Sequence, residues 1–397
     1  MKIKTLYIDK FKGFKNFNIN FEDDINLLVG ENGSGKTTIF EIIFNALSGN
    51  KQYFENSNLT QIKLELQSNN ENYKIIVQEN NGIELLINEN IADFNHEFFK
   101  MQKVIYLPAE VSFSEYNINS PTILKEENRD LKLDSNKISK DFKIFLVNEK
   151  ILDLNDIANG NNQNANRILK LKELFNNFFE DKKFIDVDVS TYEPIFELNE
   201  TKKIITLDKL SSGEKQIFYK GGSLLQFTKQ NNVIILLDEP ETSLHPEWQQ
   251  KILDFYKNIN KENQYIFATH SAHIVACCNK EKIRLLGKEG DYIILRDILN
   301  ETYGATNEEL LYEIFDLNSV RNLEIQKDID LYKDLFYRKE SLSEEEKKML
   351  EELKQKLVNS KALANNYVTL LELGISNEKT NEYLKGLRGN NAQSKKE

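Results

Sequence analysis

Short apolar runs alternate with longer helical segments along the chain. The runs Ile25–Val29, 233–237 and 266–268 contain almost no polar residues and are rich in β-branched ones. Runs of this length are typical of strands that are buried on both faces of a sheet. The first run precedes a segment with helical character at residues 38–47. This pattern predicts an α/β fold.

A second pattern lies between residues 60 and 90. Residues 62–66 and 73–77 alternate apolar and polar positions or carry β-branched side chains, and the pair Asn81-Gly82 precedes residues 83–87. An Asn-Gly pair between two such runs is a strong indication of a β-hairpin turn. We therefore expect antiparallel strands in this part of the chain.

The middle of the chain has a different composition. Asn, Lys, Asp and Glu dominate residues 111–180, and the asparagine-rich run at 159–166 predicts a mobile loop. Beside that run, the apolar residues of segment 168–179 recur at helical spacing. The pattern predicts a small helical lid or arm that is too short for a long coiled coil.

The pattern after residue 300 is helical. The pairs Thr306 with Glu309 and Ser343 with Glu346 match the capping box that begins many helices. After them, one apolar stripe consists of Leu350, Leu353 and Leu357. We expect this stripe to pack within the protein or its dimer.

Composition limits the class of protein. The chain has 397 residues, of which 40% are hydrophobic, enough for a large α/β domain with insertions. No apolar run approaches about 18 residues and the N-terminus lacks a signal-peptide core, so we expect a cytoplasmic protein without a membrane partner. Cys277 and Cys278 are adjacent, as expected for helix residues in a reducing cytosol.

The charge is acidic overall. A net charge of −11 and a pI of about 5.2 argue against a general nucleic-acid coat, which needs a dominant basic face. A local basic groove is compatible with this total, so DNA stays open as a partner. The four histidines show no zinc-site spacing with cysteine.

Residues 30–38 match the complete phosphate-loop pattern G-x-x-x-x-G-K-[ST] between a predicted strand and a predicted helix. Glycines let backbone N–H groups turn toward phosphate oxygens, and the helix N-terminus adds partial positive charge. Lys36 is expected to reach the β- and γ-phosphates, and the Thr37 hydroxyl to bind Mg²⁺. A glycine-rich turn that only caps a helix is the alternative. The residues expected to bind nucleotide are Asn32, Gly33, Ser34, Gly35, Lys36, Thr37 and Thr38.

The apolar run at 233–237 ends in two carboxylates, Asp238 and Glu239. Open α/β sheets bind ligands at this end of their strands. Asp238 is expected to hold Mg²⁺, and Glu239 to orient or deprotonate the attacking water. A strand that merely ends in a polar Glu-Pro turn is the alternative. Together with Glu241 these residues form a carboxylate cluster that we assign to ATP and Mg²⁺.

Two further motifs narrow the function. The segment 210–216, Leu-Ser-Ser-Gly-Glu-Lys-Gln, opens a helical stretch, and its small residues leave N–H groups for an anion near Ser211 and Gly213. The run at 266–268 leads to His270. A histidine at such a strand end, beside a γ-phosphate site, favours a catalytic role over a structural one.

In this order the four motifs resemble the Walker A loop, signature, Walker B strand and switch histidine of ATP-binding-cassette ATPases. The opening strand at 3–14 and the segment 238–246 are similar to the RecF/SMC-like branch, and within it to the OLD-like and Septu (PtuA) ATPases of bacterial phage defence. Tyr303-Gly304 and Arg321 match the segment that follows the Septu ATPase domain. Gln102 is one candidate for the Q-loop glutamine, and residues 105–110 occupy the expected region.

The resemblance implies a P-loop ABC-ATPase fold, with a mixed sheet, an antiparallel side-sheet, a helical insertion and a helical C-terminal extension. It implies ATP and Mg²⁺ as cofactors, Glu239 and His270 as catalytic residues, and a homodimer in which Ser211 and Gly213 complete the partner's site. The corresponding segments are an N-terminal lobe at 1–110, the insertion at 111–180, a C-terminal lobe at 181–300 and the extension at 301–397.

Four functions are compatible with this resemblance. The leading one is an ATPase that senses or regulates in phage defence and controls a separate HNH-type nuclease. The second is a DNA-repair ATPase of the RecF/SMC type, and the third is a transporter ATPase subunit. The fourth, a self-sufficient OLD-like nuclease, requires a Toprim domain, and the chain after His270 shows no set of carboxylates for one.

Overall fold

The computed structural model describes residues 1–55, 58–68, 71–79, 82–92, 98, 104–112, 131–161, 163, 165–227, 232–317 and 323–359. The described residues form two compact units, one within residues 1–315 and one within residues 316–397. Within the described ranges, no helix is both long and apolar enough to cross a membrane. Gln102, Arg321 and the predicted Asn81 turn position lie outside the described residues.

The first unit contains sixteen described strands and seven described helices. The strands are β1 Lys2–Phe11, β2 Phe14–Asn20, β3 Ile25–Val29, β4 Gln61–Ser68, β5 Glu71–Gln78, β6 Gly82–Ile87, β7 Asn90–Ala92, β8 Val104–Leu107, β9 Leu131–Lys132, β10 Lys182–Asp188, β11 Glu193–Leu198, β12 Ile204–Thr206, β13 Ile234–Asp238, β14 Gln264–Thr269, β15 Ile283–Glu289 and β16 Tyr292–Arg296. The helices are α1 Lys36–Leu47, α2 Ile138–Ala158, α3 Arg167–Phe178, α4 Ser212–Phe227, α5 Pro246–Ile259, α6 Ala272–Val275 and α7 Asn307–Glu313.

Thirteen of these strands form one mixed sheet in the order β7-β6-β5-β4-β1-β2-β16-β15-β3-β14-β13-β8-β9. From β15 to β9 all neighbouring strands are parallel, whereas β1, β2 and β4–β7 are antiparallel. The predicted α/β class with a mixed sheet is confirmed, as is the pairing of β5 with β6 as an antiparallel hairpin.

The sequence led us to expect an antiparallel side-sheet beside the main sheet. In the structure the antiparallel strands instead belong to the main sheet. β2 pairs in parallel with β16 through Phe14 and Ile293, and the Ile293 N–H donates to the Gly13 carbonyl at 2.8 Å. This one pairing makes the antiparallel and parallel halves a single hydrogen-bonded sheet. Sequence periodicity predicts strands but not which edges meet, so the junction was not predicted.

The central strands bury both faces, as their unbroken apolar character requires. In β3, Leu27 and Val29 face one hydrophobic core and Leu28 faces the other. Helix α1 covers the face of Leu28, and helices α2 to α5 cover the opposite face. This three-layer arrangement brings the C-terminal ends of β3, β13 and β14 to one edge of the sheet.

The described part of the insertion packs into the core and is not a detached lid or arm. Phe142 of α2 and Phe175 of α3 are fully buried against Phe218 of α4, with ring centroids 5.3 Å and 4.7 Å apart. Two adjacent glycines of α4 permit this packing, because Gly222 lies beneath the Phe142 ring and Gly221 beneath a ring of α5. The apolar residues at helical spacing in segment 168–179 predicted α3 but neither α2 nor the surface that the two helices cover.

The second unit is described at α8 Leu323–Tyr337 and α9 Glu344–Asn359. These helices share a small core to which α9 contributes Leu353 and Leu357, so the predicted leucine stripe packs within the protein. The capping box at Thr306 and Glu309 is confirmed in the first unit. In the second unit, the Ser343 N–H donates to Glu346 at 2.8 Å, and the Glu346 N–H donates to the Ser343 hydroxyl at 3.3 Å.

Candidate functional site

The predicted phosphate loop connects β3 to α1. Gly35 has a φ of +94°, and a Cβ placed there would lie 2.6 Å from Ile293 and 2.7 Å from Phe14. Glycine is therefore required both by the left-handed backbone and by the packing. No side chain caps the N-terminus of α1, and its first turn holds no acidic residue. The uncapped N–H groups and the helix dipole are suited to a phosphate.

Lys36 is folded back on the loop. Its Nζ donates to the carbonyls of Gly30 at 2.7 Å and Glu31 at 3.0 Å, and the residue is 6% exposed. Burial lowers the pKa of Lys36, and the carboxylates that follow β13 oppose this effect. The ammonium group therefore lies within the field of the acidic cluster, inside the loop that the sequence assigned to phosphate.

Asp238 and Thr37 come together from two motifs that are 201 residues apart. The Thr37 hydroxyl donates to Asp238 Oδ2 at 3.3 Å, across the ends of β3 and β13. A second donor, the Tyr106 hydroxyl from β8, reaches the same oxygen at 3.0 Å. Burial raises the pKa of the Asp238 carboxyl, and these two hydrogen bonds oppose the rise.

A hydroxyl and a carboxylate form the donor set that suits Mg²⁺. This ion prefers hard oxygen ligands and usually takes one or two protein groups, with phosphates and water for the rest. In the described part of the chain there is no group of three or more His, Cys, Asp or Glu that could enclose a metal alone. The residues fit a Mg²⁺ ion that arrives with nucleotide phosphates, held by Thr37 and Asp238.

Glu239 and His270 form a direct contact. Because β13 and β14 are parallel neighbours, the residues that follow them lie side by side, and His270 Nε2 is 3.0 Å from Glu239 Oε1. Both side chains are about one-third exposed, at 34% and 35%. Glu239 has a φ of +41°, which is uncommon for a residue with a side chain and is typical of functional positions. Because both side chains are partly exposed, a water molecule can reach both Glu239 and His270.

The structure corrects the role that we assigned to Glu241. Its carboxylate accepts hydrogen bonds from the Thr269 hydroxyl at 2.6 Å and from the His270 N–H at 3.0 Å. Burial raises the pKa of this carboxyl, and the two bonds oppose that effect. Glu241 thus fixes the backbone that carries His270. From the sequence, the position of Glu241 close to Asp238 is equally compatible with metal binding and with this structural role.

The signature segment begins α4, as predicted. The Ser211 N–H donates to Glu214 at 2.7 Å, and Glu214 forms a buried ion pair with Lys182 of β10. A Cβ on Gly213 would lie 2.5 Å from the Ser243 carbonyl, so only glycine permits this approach. Among the described contacts, no hydrogen bond joins Ser211 or Gly213 to the phosphate loop of the same chain.

Sequence reasoning missed two residues next to the carboxylates. Tyr106 lies in the apolar run of β8, where a buried tyrosine usually serves packing, and its bond to Asp238 depends on strand order. Lys220 of α4 is 1% exposed, and its Nζ donates to the Ala109 carbonyl at 2.5 Å. Burial lowers the pKa of Lys220 to about 8, although nearby carboxylates oppose the shift. The sequence offered one indication that Lys220 is buried, which is its position among apolar residues in a helical stretch.

Most of the chain is similar in sequence to known proteins. A family model described as "AAA domain, putative AbiEii toxin, Type IV TA system" matches residues 25–276. The Septu protein PtuA of Bacillus thuringiensis is 26% identical over 346 residues, which cover 81% of this chain and 85% of that protein.

Two further similarities are more limited. The DNA double-strand break repair Rad50 ATPase of Methanocaldococcus jannaschii is 36% identical over 89 residues, covering 21% of this chain and 9% of that protein. The solved SMC head domain from Thermotoga maritima aligns with a TM-score of 0.49 and 14% identity, covering 76% of this chain and 100% of that one.

Proposed function

The chain belongs to the AAA-domain family described as "putative AbiEii toxin, Type IV TA system", and from that premise we propose that it hydrolyses ATP and thereby controls a separate effector nuclease in bacterial phage defence. The family match and the similarity to PtuA confirm the resemblance to RecF/SMC-like ATPases that the motifs indicated. ATP hydrolysis, the dimer and the effector are the parts that we propose.

The observation that carries the proposal is the meeting of three sequence motifs in one place: the phosphate loop, the strand end with Asp238 and Glu239, and His270. Thr37 lies 3.3 Å from Asp238, and Glu239 lies 3.0 Å from His270, at the edge where α/β sheets bind ligands. Bound Mg²⁺ would neutralise charge on the β- and γ-phosphates. Lys36 and the N–H groups of α1 bind the phosphates, which fixes the nucleotide in the loop.

The remaining residues act on water and on the γ-phosphate. Glu239 Oε1 accepts a proton from the attacking water, and His270 holds Glu239 and the water in position. Glu241 in turn holds the His270 backbone through the 3.0 Å hydrogen bond. Positioning supplies much of the catalysis in phosphoryl transfer, so small displacements of this pair should lower turnover strongly.

Glu239→Gln tests the chemical step. The amide keeps the shape of the side chain but cannot act as a base, so ATP should bind normally while hydrolysis falls by about 100-fold or more. Glu247→Gln, an exposed carboxylate at the start of α5, is the matched control and should hydrolyse ATP like the wild type. A Glu239→Gln protein that turns over at the wild-type rate would remove Glu239 from the mechanism.

We propose that two copies form two composite sites, with Ser211 and Gly213 of one copy facing the γ-phosphate bound by the other. The proposal is supported by the absence, in the described structure, of hydrogen bonds from this segment to the phosphate loop of its own chain. The N–H groups at the start of α4 then provide the second anion site.

Mixing two inactive variants tests the composite sites. Lys36→Ala removes the phosphate-binding cation and Ser211→Arg blocks the signature, so each homodimer should be inactive. A mixed dimer contains one site with an intact loop from one copy and an intact signature from the other. Hydrolysis should therefore return partially on mixing. If a mixed dimer forms and the mixture of the two variants still does not hydrolyse ATP, the composite-site proposal is wrong.

The effector proposal rests on similarity to the Septu protein PtuA across most of the chain. The carboxylates near the site contact Thr37 and His270, and the described residues hold no group of three or more His, Cys, Asp or Glu that could form the metal site of a nuclease. We therefore expect an HNH-type nuclease, encoded beside this gene, to dock on the ATPase dimer through the helices after Glu301. ATP changes the effector only if the effector binds the two nucleotide states with different affinity.

The purified chain should not cut DNA alone. Plasmid and phage DNA are incubated with Mg²⁺ or Mn²⁺, with and without ATP, and cleavage should require the neighbouring nuclease. Cleavage by the chain alone that also survives Lys36→Ala would contradict the division of labour.

The local similarity to the Rad50 ATPase supports a second candidate, a DNA-repair ATPase. This candidate predicts direct DNA binding and DNA-stimulated ATP hydrolysis without a nuclease partner. Titration of duplex DNA into the ATPase assay separates the two, since the defence regulator should respond to its effector.

A further inference from the structure

Tyr106 makes a contact that its place in an apolar strand does not require. Strand β8 runs parallel to β13 with Tyr106 opposite Leu236, two residues before Asp238. From there the Tyr106 hydroxyl donates to Asp238 Oδ2 at 3.0 Å. The bond thus crosses from one strand to the end of its neighbour and terminates on the predicted Mg²⁺ ligand.

The Tyr106 ring is held firmly. The residue is 4% exposed, its ring meets Phe40 of α1 edge-on at 5.7 Å, and it lies 6.3 Å from the Phe44 ring. Lys132 of β9 places its Nζ 4.9 Å from the ring centre. These contacts fix the direction of the hydroxyl, so its bond to Asp238 costs little additional side-chain entropy.

Asp238 receives both of its described hydrogen bonds on one oxygen. Thr37 and Tyr106 donate to Oδ2, and none of the described residues donates to Oδ1. The hydroxyl of Thr37 is itself a predicted ligand of Mg²⁺. If that hydroxyl were to bind the ion, Tyr106 would remain as the described side chain that donates to the carboxylate and orients it.

We propose that Tyr106 is a positioning residue for the metal: it holds Asp238 Oδ2 so that the carboxylate is presented to the Mg²⁺ that accompanies ATP. This inference rests on the proposed function and specifies which residue sets the metal affinity of that site. Groups that orient a metal ligand typically change metal affinity by about 10- to 100-fold when removed.

A purely structural role for Tyr106 gives a different expectation. The apolar contacts with Phe40 and Phe44 involve the ring alone, and phenylalanine would keep them. If the hydroxyl served only to satisfy its own burial, Tyr106→Phe would alter stability and leave the response to Mg²⁺ unchanged. The two roles are therefore separable by removing one oxygen atom.

Tyr265→Phe is the matched control. Tyr265 lies in β14 of the same sheet and is 1% exposed, and its hydroxyl donates to the Asn260 carbonyl at 2.9 Å, a carbonyl in the turn before β14 and not a group of the site. Both substitutions remove one buried hydroxyl that donates a hydrogen bond, and the Tyr265 hydroxyl also accepts the Asn260 N–H at 3.3 Å. The donated bond ends on a predicted metal ligand in the case of Tyr106 alone.

The experiment measures Mg²⁺ dependence in the full chain by two methods. In equilibrium binding, a fluorescent ATP analogue is titrated at rising Mg²⁺ concentrations, and the EDTA series gives metal-free affinity. Tyr106→Phe should raise the half-saturating Mg²⁺ concentration by about 10-fold or more while metal-free affinity is unchanged. In steady-state hydrolysis the same shift should appear, and excess Mg²⁺ should restore most of kcat.

Four outcomes are informative. An unchanged half-saturating Mg²⁺ concentration in Tyr106→Phe overturns the assignment, as does an equal shift in Tyr265→Phe, which would indicate general loosening of the sheet. A shift in Tyr106→Phe alone supports it. Wild-type protein that binds no nucleotide, or binds it without any response to Mg²⁺, refutes the proposed function itself and not merely the role of Tyr106.

Discussion

The buried ion pair between Lys182 and Glu214 yields a quantitative prediction for the signature segment. The two side chains are 8% and 9% exposed. Lys182 has two ion-pair partners, because Asp181 lies 2.9 Å from its Nζ in addition to Glu214. Glu214 has one ion-pair partner in the described structure, which is Lys182. Glu214 also accepts the Ser211 N–H at 2.7 Å. The two ends of the pair are therefore unequal.

Lys182→Met should lower the free energy of unfolding more than Glu214→Gln does. Methionine leaves a buried carboxylate without its cation, and such a loss costs about 3–5 kcal/mol. Glutamine keeps an oxygen for the Ser211 N–H, and Lys182 keeps Asp181, so that variant loses one charged hydrogen bond, about 1.5–3 kcal/mol. The double variant contains no unpaired buried charge and should be more stable than Lys182→Met alone.

Urea unfolding followed by the fluorescence of Trp248, the single tryptophan, measures these free energies, with unchanged m-values as the condition for comparison. Lys251 pairs with the exposed Glu180 at 2.6 Å, and Lys251→Met should stay close to the wild type, because exposed pairs contribute little. Equal losses in the two single variants, or a double variant weaker than both, would refute the reasoning.

Three further predictions concern the site and its surroundings. His270→Ala should lower kcat at least about 10-fold with ATP affinity nearly unchanged, while His273→Ala should be neutral in steady-state kinetics. Gly213→Ala brings a methyl group 2.5 Å from the Ser243 carbonyl, so light scattering should show loss of the ATP-dependent dimer. Burial lowers the pKa of Lys220 to about 8, so between about pH 8 and about pH 10 the unfolded chain holds a proton on this lysine that the folded chain has lost. The free energy of unfolding should therefore rise with pH over this range, and the rise should be absent in Lys220→Met.

The parts of the site that could be predicted are those encoded in consecutive residues. A phosphate loop needs only its own glycines, its lysine and the flanking strand and helix, and all of these lie between residues 25 and 47. The strand ends that carry Asp238, Glu239 and His270 were similarly visible as apolar runs that stop at a polar group. The parallel order of β3, β14 and β13 then brings them together.

The remaining contacts depend on strand order and helix packing, which periodicity does not encode. Tyr106 reaches Asp238 because β8 is the next strand beyond β13, and Lys220 of α4 reaches Ala109, which lies two residues after the end of β8. The continuous sheet likewise depends on one pairing between β2 and β16. Glu241 was misassigned for the same reason, since its partners at 269 and 270 come from another strand.

The adjacent glycines at positions 221 and 222 give the helix that displays the signature an unusual dependence on its neighbours. Glycine in a helix interior costs about 1 kcal/mol relative to alanine, so α4 has weak intrinsic order in its middle. Aromatic rings from α2 and α5 occupy the space that the missing side chains leave. Deletion of α2 would therefore remove one wall of the helix that, in the proposed dimer, faces the partner's nucleotide.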